Sequence, residues 1–210
     1  MANRLIVQFL GLFLLIPNAW SGIFFEPKAI IEYSNWEQGV GGTALDGTLA
    51  GQSYRYGAGM SLLVTTGKIF VSASYNYMNV YLKYRDAEDF EADNSWRSHS
   101  SGVAQDIGLD IGFKMTNGTL YVGFIPVSTI AYSEYFIEGI EEAEFKGTCV
   151  KGGIGFKLGK SGSANLYVSS CSYDQAQFDG VEVKFPSTFE TVDYESLKTT
   201  NIGYSLGILF

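Results

Sequence analysis

Hydrophobic and polar residues alternate along much of this chain, and the last ten residues, NIGYSLGILF, show the pattern clearly. Between residues 201 and 210, large apolar side chains fall on every second position, and the positions between them are small or polar except for Leu209. The apolar set is Ile202, Tyr204, Leu206, Ile208 and Phe210. Because successive side chains of a strand point to opposite faces, a period of two predicts a β-strand with one apolar face.

Seven further segments show the same alternation, so the sequence predicts eight strands. The clearer ones are SYRYGAGMSLLV, KIFVSASYNYM, QDIGLDIGFK and TCVKGGIGFKL, and the weaker ones are KAIIEYSNW, TLYVGFIPV and ANLYVSSCSY. In TLYVGFIPV, residues 119–127, the two faces are ambiguous, and the sequence leaves their orientation open.

The connections between these segments alternate in length. The short ones are 65–68, 115–118 and 159–162, and the long ones are 37–52, 82–101, 128–147 and 174–196. In the second short connection, Asn117-Gly118 is a favoured pair for a two-residue hairpin turn. Short turns at one end and long loops at the other are typical of membrane barrels. The sequence therefore predicts an all-β fold, an eight-stranded antiparallel up-and-down transmembrane β-barrel.

The first 21 residues differ from the rest of the chain. Arg4 precedes a mostly apolar run from Leu5 to Ile16, and Ala19 and Ser21 suit the small-residue positions of a cleavage site. The run is shorter than the roughly 20 apolar residues of a spanning helix. We expect residues 1–21 to be a secretory signal peptide and residues 22–210 to form a single barrel domain.

Alternation alone does not say whether the apolar face points into the barrel or out of it. Secreted lipocalin-type barrels point apolar residues into a ligand cavity, whereas membrane barrels point them at lipid. Here the polar face is rich in glycine and includes charges such as Arg55 and Asp110, and aromatic residues lie near the predicted strand ends. Aromatic girdles of this kind belong at the two membrane interfaces, which favours the membrane barrel.

The final strand, with Phe210 last, resembles the C-terminal signal of bacterial outer membrane β-barrels. This resemblance implies that the barrel-assembly machinery recognises Ile202, Tyr204, Leu206, Ile208 and Phe210. Residues 22–210 resemble the eight-stranded outer membrane β-barrel family, which includes the transmembrane domain of outer membrane protein A and the outer membrane protein W type. The family implies a bacterial outer membrane location among lipids and lipopolysaccharide, with both termini periplasmic and the long loops extracellular.

Six charged residues share the polar faces of the predicted strands. They are Glu32, Asp106 and Asp110, opposed by Arg55, Lys151 and Lys157. An eight-stranded barrel is just wide enough for side chains to fill it, and buried charges need partners. We therefore expect these residues to pair as an ionic network that plugs the lumen, with Arg55 bound to at least one carboxylate.

Cys149 and Cys171 are the only cysteines, and each lies eleven residues from Lys160 in the hairpin around 159–162. Residues at equal distances from such a turn face each other, close enough for a disulfide. An exported protein also meets an oxidising compartment. We expect a cross-strand disulfide that points into the lumen near the outer end of the barrel.

The sequence contains little that suggests catalysis. His99, the only histidine, lies in SHSSG without a G-x-S-x-G elbow or an orienting acid, so we expect no catalytic residue there. The acidic segment DAEDFEADN, residues 86–94, lacks the calcium-loop pattern. We therefore expect neither a metal site nor a cofactor.

The net charge of −8 and the concentration of acidic residues in the long segments argue against a nucleic acid partner. The acidic loops are expected to contact an unidentified extracellular partner. Three functions remain open. The sequence favours a non-enzymatic barrel that supports the envelope or presents its loops. The alternatives are a narrow conduit for small apolar molecules, as in the outer membrane protein W type, and a lipid-modifying enzyme.

Overall fold

The computed structural model describes residues 22–42, 47–85, 97–133, 141–189 and 192–210. The expected signal peptide and the acidic segment 86–94 lie outside the described residues. Eleven strands, numbered in chain order, make up the described chain: β1 Gly22–Gly42, β2 Gly47–Thr66, β3 Ile69–Arg85, β4 Arg97–Lys114, β5 Gly118–Tyr132, β6 Ala143–Leu158, β7 Gly162–Phe178, β8 Val181–Lys184, β9 Ser187–Phe189, β10 Val192–Tyr194 and β11 Leu197–Ile208. Among these residues no helix is long and apolar enough to cross a membrane.

Eight of the strands close an antiparallel barrel. Strands β1 to β7 each pair with their neighbours in sequence, and β11 completes the ring by pairing with both β7 and β1. The three short strands β8, β9 and β10 belong to the connection between β7 and β11. The expected eight-stranded up-and-down barrel is confirmed.

The barrel strands extend further than the hydrophobic pattern predicts. β1 and β2 stay paired from Gly22↔Thr65 to Val40↔Gly47, through most of a segment expected to be a loop. β7 continues to Phe178, where its last residues pair with β8. β11 pairs with β1 up to Glu37↔Lys198, and past that point β10, which precedes β11 in the chain, pairs with the last residues of β1. The loop assignment of 37–42, of 47–52 and of parts of 174–196 is therefore wrong, because these residues form strand extensions.

The second short turn also differs from its prediction. β4 ends at Lys114 and β5 begins at Gly118, so the turn consists of residues 115–117 and the expected two-residue Asn117-Gly118 turn is wrong. The Met115 N–H donates to the Gly118 carbonyl at 2.7 Å and closes this turn.

A bulge in β5 explains why the sequence leaves the facing of residues 119–127 open. Relative to both β4 and β6, β5 contains one extra residue between Phe124 and Ser128. Leu120, Val122 and Phe124 face outward before the bulge, and Val127 faces outward after it. Because the extra residue reverses the parity of the strand, apolar residues fall on both sets of alternate positions.

The outside of the barrel is apolar over the half nearer the short turns. The exposed residues of this outer belt are Ile23, Phe25, Ile31, Met60, Leu62, Ile69, Ile107, Ile111, Phe113, Leu120, Val122, Phe124, Val127, Val150, Ile154, Phe156, Leu158, Leu166, Val168, Ile202, Leu206 and Ile208. Exposed tyrosines lie toward the far edge of the belt on β2 and β3: Tyr54, Tyr56, Tyr75, Tyr77 and Tyr81. Water-soluble monomers rarely expose such a contiguous apolar surface, which matches the lipid-facing band of a transmembrane barrel.

Nearer the long connections the polarity reverses. The outward side chains there are exposed and polar, including Asn35, Glu37, Thr148, Ser170, Ser172, Lys198 and Thr200. The inward side chains are buried and apolar, including Trp36, Val80, Leu82, Ile130, Phe145, Tyr173 and Phe178. We call this part, together with β8–β10, the head. It has the polar outside and apolar inside of a water-soluble barrel. The same strands therefore suit lipid at the end with the short turns and water at the head.

The outer belt predicts that Leu206→Arg prevents the barrel from folding, because an Arg at the bilayer midplane costs about 2–4 kcal/mol. Thr200→Arg is the matched control, since Thr200 faces outward on the same strand at the edge of the head. Heat-modifiable migration on a gel measures the folded fraction. Equal folding of the two variants would contradict the assigned belt.

Candidate functional site in the barrel lumen

The lumen contains a cavity of about 470 Å³ in the half nearer the short turns. Inward side chains from all eight barrel strands line it. Met115, Lys160 and Phe210 lie at its mouth, while Glu32, Asp106 and Ile125 lie at its inner end. The cavity therefore opens at the short-turn end of the barrel.

Beyond the cavity the described lumen is filled by one apolar cluster, which we call the plug. Its buried members are Ile30, Trp36, Met78, Val80, Leu82, Ala104, Ile125, Ile130, Tyr132, Ala143, Phe145, Cys149, Cys171, Tyr173, Ala176, Phe178, Val183, Tyr194 and Leu197. The Phe145 ring lies at its centre, with centroid distances of 5.8 Å to Phe178 and 6.3 Å to Tyr132. Phe185, from the connection after β8, stacks on Phe145 at 6.4 Å. Apolar packing closes the lumen, so the expectation of a plug made of charges is corrected.

Two buried ion pairs lie between the plug and the cavity mouth. Nη1 of Arg55 is 3.7 Å from Oε2 of Glu32, and Arg55 is only 1% exposed. The Tyr167 hydroxyl donates to Oε1 of the same carboxylate at 2.6 Å. In the second pair, Nζ of Lys151 is 2.9 Å from Oδ1 of Asp110. The structure thus brings four of the six predicted charges into direct pairs.

Asp106 connects this charged layer to the plug. Ser128 donates to Oδ1 of Asp106 at 2.7 Å, and the Ser128 hydroxyl also shares a hydrogen bond of 2.9 Å with the Tyr173 hydroxyl. Asp106 lies within electrostatic range of Arg55. The buried carboxylate therefore has both a hydrogen-bond donor and a nearby cation, as a buried charge requires.

Lys157 does not belong to this network, contrary to the sequence prediction. It lies one residue before the end of β6, where its side chain is exposed at the cavity mouth, and within the described ranges it forms no ion pair. Glu26 and Lys28 take a place in the lumen that the prediction did not assign to them. Ser163 donates to Glu26, and Lys28 donates to Ser61 at 3.0 Å. Both share the alternate positions of Glu32, a signal that was present in the sequence.

Two glycines in the lumen make room for the side chains of Tyr167 and Asp110. A Cβ at Gly203 would overlap the ring of Tyr167, and a Cβ at Gly123 would overlap the carboxylate of Asp110. Glycine is needed here because of close approach, and each glycine allows a larger neighbour to reach its charged partner.

Cys149 and Cys171 are joined by a disulfide with an S–S distance of 2.03 Å. The two residues are directly paired between β6 and β7, and both point into the plug. Asn201 donates to Sγ of Cys171 at 3.4 Å. Because β6 extends to Ala143, the bond lies near the middle of that strand and not at the outer end of the barrel.

The residues of the expected assembly signal form one outward column. Ile202, Tyr204, Leu206 and Ile208 are exposed on β11, and Phe210 is 71% exposed. The N–H and carbonyl of Phe210 bond the backbone of Phe25 at 2.9 and 3.1 Å, so the ladder continues past the end of β11. Their recognition by the assembly machinery stays a prediction.

Across the described ranges, no three His, Cys, Asp or Glu side chains come together as metal ligands. Residue 99 belongs to β4, but the side chain of His99 lies outside the part of the chain that the structure describes.

No protein-family model and no curated protein matches this sequence. Solved structures do match it. The chain is similar to the crystal structure of the outer membrane protein OprG from Pseudomonas aeruginosa, with a TM-score of 0.51 and 12% identity, over 91% of this chain and 97% of that chain. Neisserial surface protein A matches with a TM-score of 0.43 and 10% identity, over 90% and 100% of the two chains. Ail, the attachment invasion locus protein of Yersinia pestis, matches with a TM-score of 0.42 and 10% identity, over 88% of this chain and 98% of that chain. The similarity to OprG shows that this chain has the barrel fold of an outer membrane protein.

The buried Arg55–Glu32 pair predicts that Arg55→Ala lowers the free energy of unfolding by about 3–5 kcal/mol, since it leaves a buried carboxylate without its partner. Lys146→Ala is the matched control, because Lys146 forms an exposed ion pair with Glu144 at 3.4 Å. We expect that control to change stability by less than about 1 kcal/mol. Urea unfolding in lipid vesicles measures both, and equal effects would contradict the assigned burial of Arg55.

The contact between Gly203 and Tyr167 predicts that Gly203→Ala destabilises the barrel by about 1–3 kcal/mol through overpacking. Gly152→Ala should be nearly neutral, because Gly152 is exposed and a Cβ there would lie 3.9 Å from its nearest neighbour. The same unfolding assay compares the two variants. If Gly203→Ala is as stable as Gly152→Ala, Tyr167 does not occupy the assigned position.

Proposed function

We propose that the protein is a non-enzymatic barrel of the bacterial outer membrane that presents a rigid head at the cell surface. In this proposal the short turns and both ends of the barrel domain face the periplasm, lipids and lipopolysaccharide surround the outer belt, and the assembly machinery recognises the β11 column. The observation that carries the proposal is the plug, because it closes the described lumen and stabilises the head with the same side chains.

Hydrogen bonds join the described parts of two connections in the head. The Asp179 carboxylate accepts from the N–H groups of Glu141 and Glu142 at 3.1 and 2.8 Å, which ties the turn after β7 to the segment before β6. The Phe185 N–H donates to the Asp174 carbonyl at 2.8 Å. Connections held in one conformation lose less entropy on binding than free loops do, which supports a binding role for the head.

The exposed charge of the head is acidic and supports a partner with a basic surface. The exposed carboxylates are Glu37, Glu141, Glu142, Asp174, Asp179, Glu182, Asp193 and Glu195. Lys184 and Lys198 are the cations classed as exposed among the described head residues, and Lys146 is half-buried. Complementary charge speeds encounter and selects partners.

The plug argues against a through conduit for small apolar molecules, and it predicts that the folded barrel is silent in a planar bilayer. The double variant Phe145→Ala/Phe178→Ala should produce openings, because it removes two aromatic rings from the centre of the plug. Phe156→Ala, on the outer belt, is the matched control and should remain silent. Steady openings of the unmodified protein would contradict the proposed function and favour transport.

A further inference from the structure

An open groove of about 460 Å³ lies on the outside of the barrel, where the head begins. Two rows of outward side chains form it, and each row crosses β1, β11, β7 and β6 through directly paired residues. The row on the head side is Glu37, Lys198, Ser172 and Thr148, and the row on the belt side is Asn35, Thr200, Ser170 and Val150. Most of these side chains are short, so they leave a depression along the rows.

The Cys149–Cys171 disulfide joins β6 and β7 directly beneath the groove. Both cysteine side chains point inward, and the residues on either side of each cysteine point outward into the groove. A covalent link between the two strands keeps the floor of the groove in one shape. A ligand that binds there therefore has little protein to order.

The groove opens onto the outer belt. The next row toward the short turns includes Ile202 and Val168, which are directly paired and exposed. On the other side of the barrel, β2 and β3 present large tyrosines such as Tyr54 and Tyr77 at the belt edge, whereas hydroxyl groups and short side chains border the groove. A molecule in the groove can therefore extend an apolar part over the belt, as a membrane lipid does.

The groove contains one charge of each sign. Glu37 and Lys198 are directly opposite each other on β1 and β11, and both are exposed. Within the described residues neither forms an ion pair with the other or with a further side chain. A ligand with a net charge of either sign is repelled by one of the two groups, whereas a zwitterion is attracted by both. The groove therefore selects a headgroup with both charges.

We propose that the groove binds a membrane lipid with a phosphoethanolamine headgroup. The phosphate lies against Lys198, the ammonium lies against Glu37, and the acyl chains pass over Ile202 and Val168. A two-carbon link separates the phosphate from the ammonium, a spacing comparable with the distance of about 5 Å between directly opposite strand residues. The hydroxyl groups of the two rows donate to the remaining phosphate oxygens. The site rests on the membrane location of the proposed function but not on what the head binds.

Native mass spectrometry of the folded, disulfide-bonded protein in detergent micelles tests the site with three probes: phosphatidylethanolamine, phosphatidylglycerol and glycerophosphoethanolamine, which has the headgroup without acyl chains. We expect phosphatidylethanolamine to bind tightest. Lys198→Glu should weaken it about fivefold to tenfold, because a repulsion replaces an attraction of similar size. Lys184→Glu, at an exposed lysine in β8 of the head, is the matched control and should have no effect.

The charge-exchanged variant Glu37→Lys/Lys198→Glu provides the sharper test. It should recover binding of phosphatidylethanolamine, because the zwitterion can then bind in the reverse orientation. All of these changes are at exposed positions, and heat-modifiable migration confirms that each variant is folded. If the double variant binds as weakly as Lys198→Glu, the two charges do not act as a pair and the proposal is wrong.

Three other results would also overturn the proposal. Equal binding of phosphatidylglycerol and phosphatidylethanolamine would show that the ammonium does not contribute. Equal weakening by Lys184→Glu and Lys198→Glu would show that net charge acts and not the groove. Equal binding of glycerophosphoethanolamine and phosphatidylethanolamine would show that the belt does not contribute and the ligand is not a lipid. None of these results alters the conductance measurement that tests the proposed function, so the two proposals fail independently.

Discussion

The solvent around the barrel changes from lipid to water along each strand, and this change constrains the whole structure. Lipid offers no hydrogen bonds, so the backbone must satisfy its own groups in a closed ring, and the outward side chains must be apolar. From Asn35 and Thr200 toward the long connections, where water surrounds the strands, the outward side chains are polar. The interior follows the opposite rule, since polar groups fill it in the lipid half and aromatic rings fill it in the head.

The charged layer lies where these two interiors meet. Arg55 and Glu32 are buried as deeply as core residues, yet Glu32 lines a cavity that is open at its far end. The Asp106–Ser128–Tyr173 chain of hydrogen bonds joins them to the plug. A purely ionic plug would have required every charge to be desolvated and paired. Aromatic packing closes the lumen without that requirement, and the charges need only satisfy one another at its boundary.

Alternation predicts the strands and their faces well because the side-chain period of a strand is two. It does not predict how far along the barrel axis a residue lies. Lys157 therefore has the expected parity but lies at the cavity mouth, and Glu26 and Lys28 were not assigned to the lumen. The head was missed for a different reason. Its outward residues are polar like those of loops, and its inward residues, such as Trp36 and Phe145, come from several segments that become neighbours only after the barrel closes. The β5 bulge shows a third limit, since one extra residue reverses the parity that the pattern depends on.

One barrel has a lipid-facing belt and a water-facing head on the same strands. Nitroxide labels at positions 206, 202 and 198 of β11, attached to single added cysteines in lipid vesicles, test it most directly. Collisions with oxygen, which concentrates in lipid, and with a water-soluble nickel complex report the solvent at each label. The belt and the head predict that collisions with oxygen dominate at 206 and 202 and that collisions with the nickel complex dominate at 198. Lipid exposure at all three positions, or water exposure at 206, would contradict it.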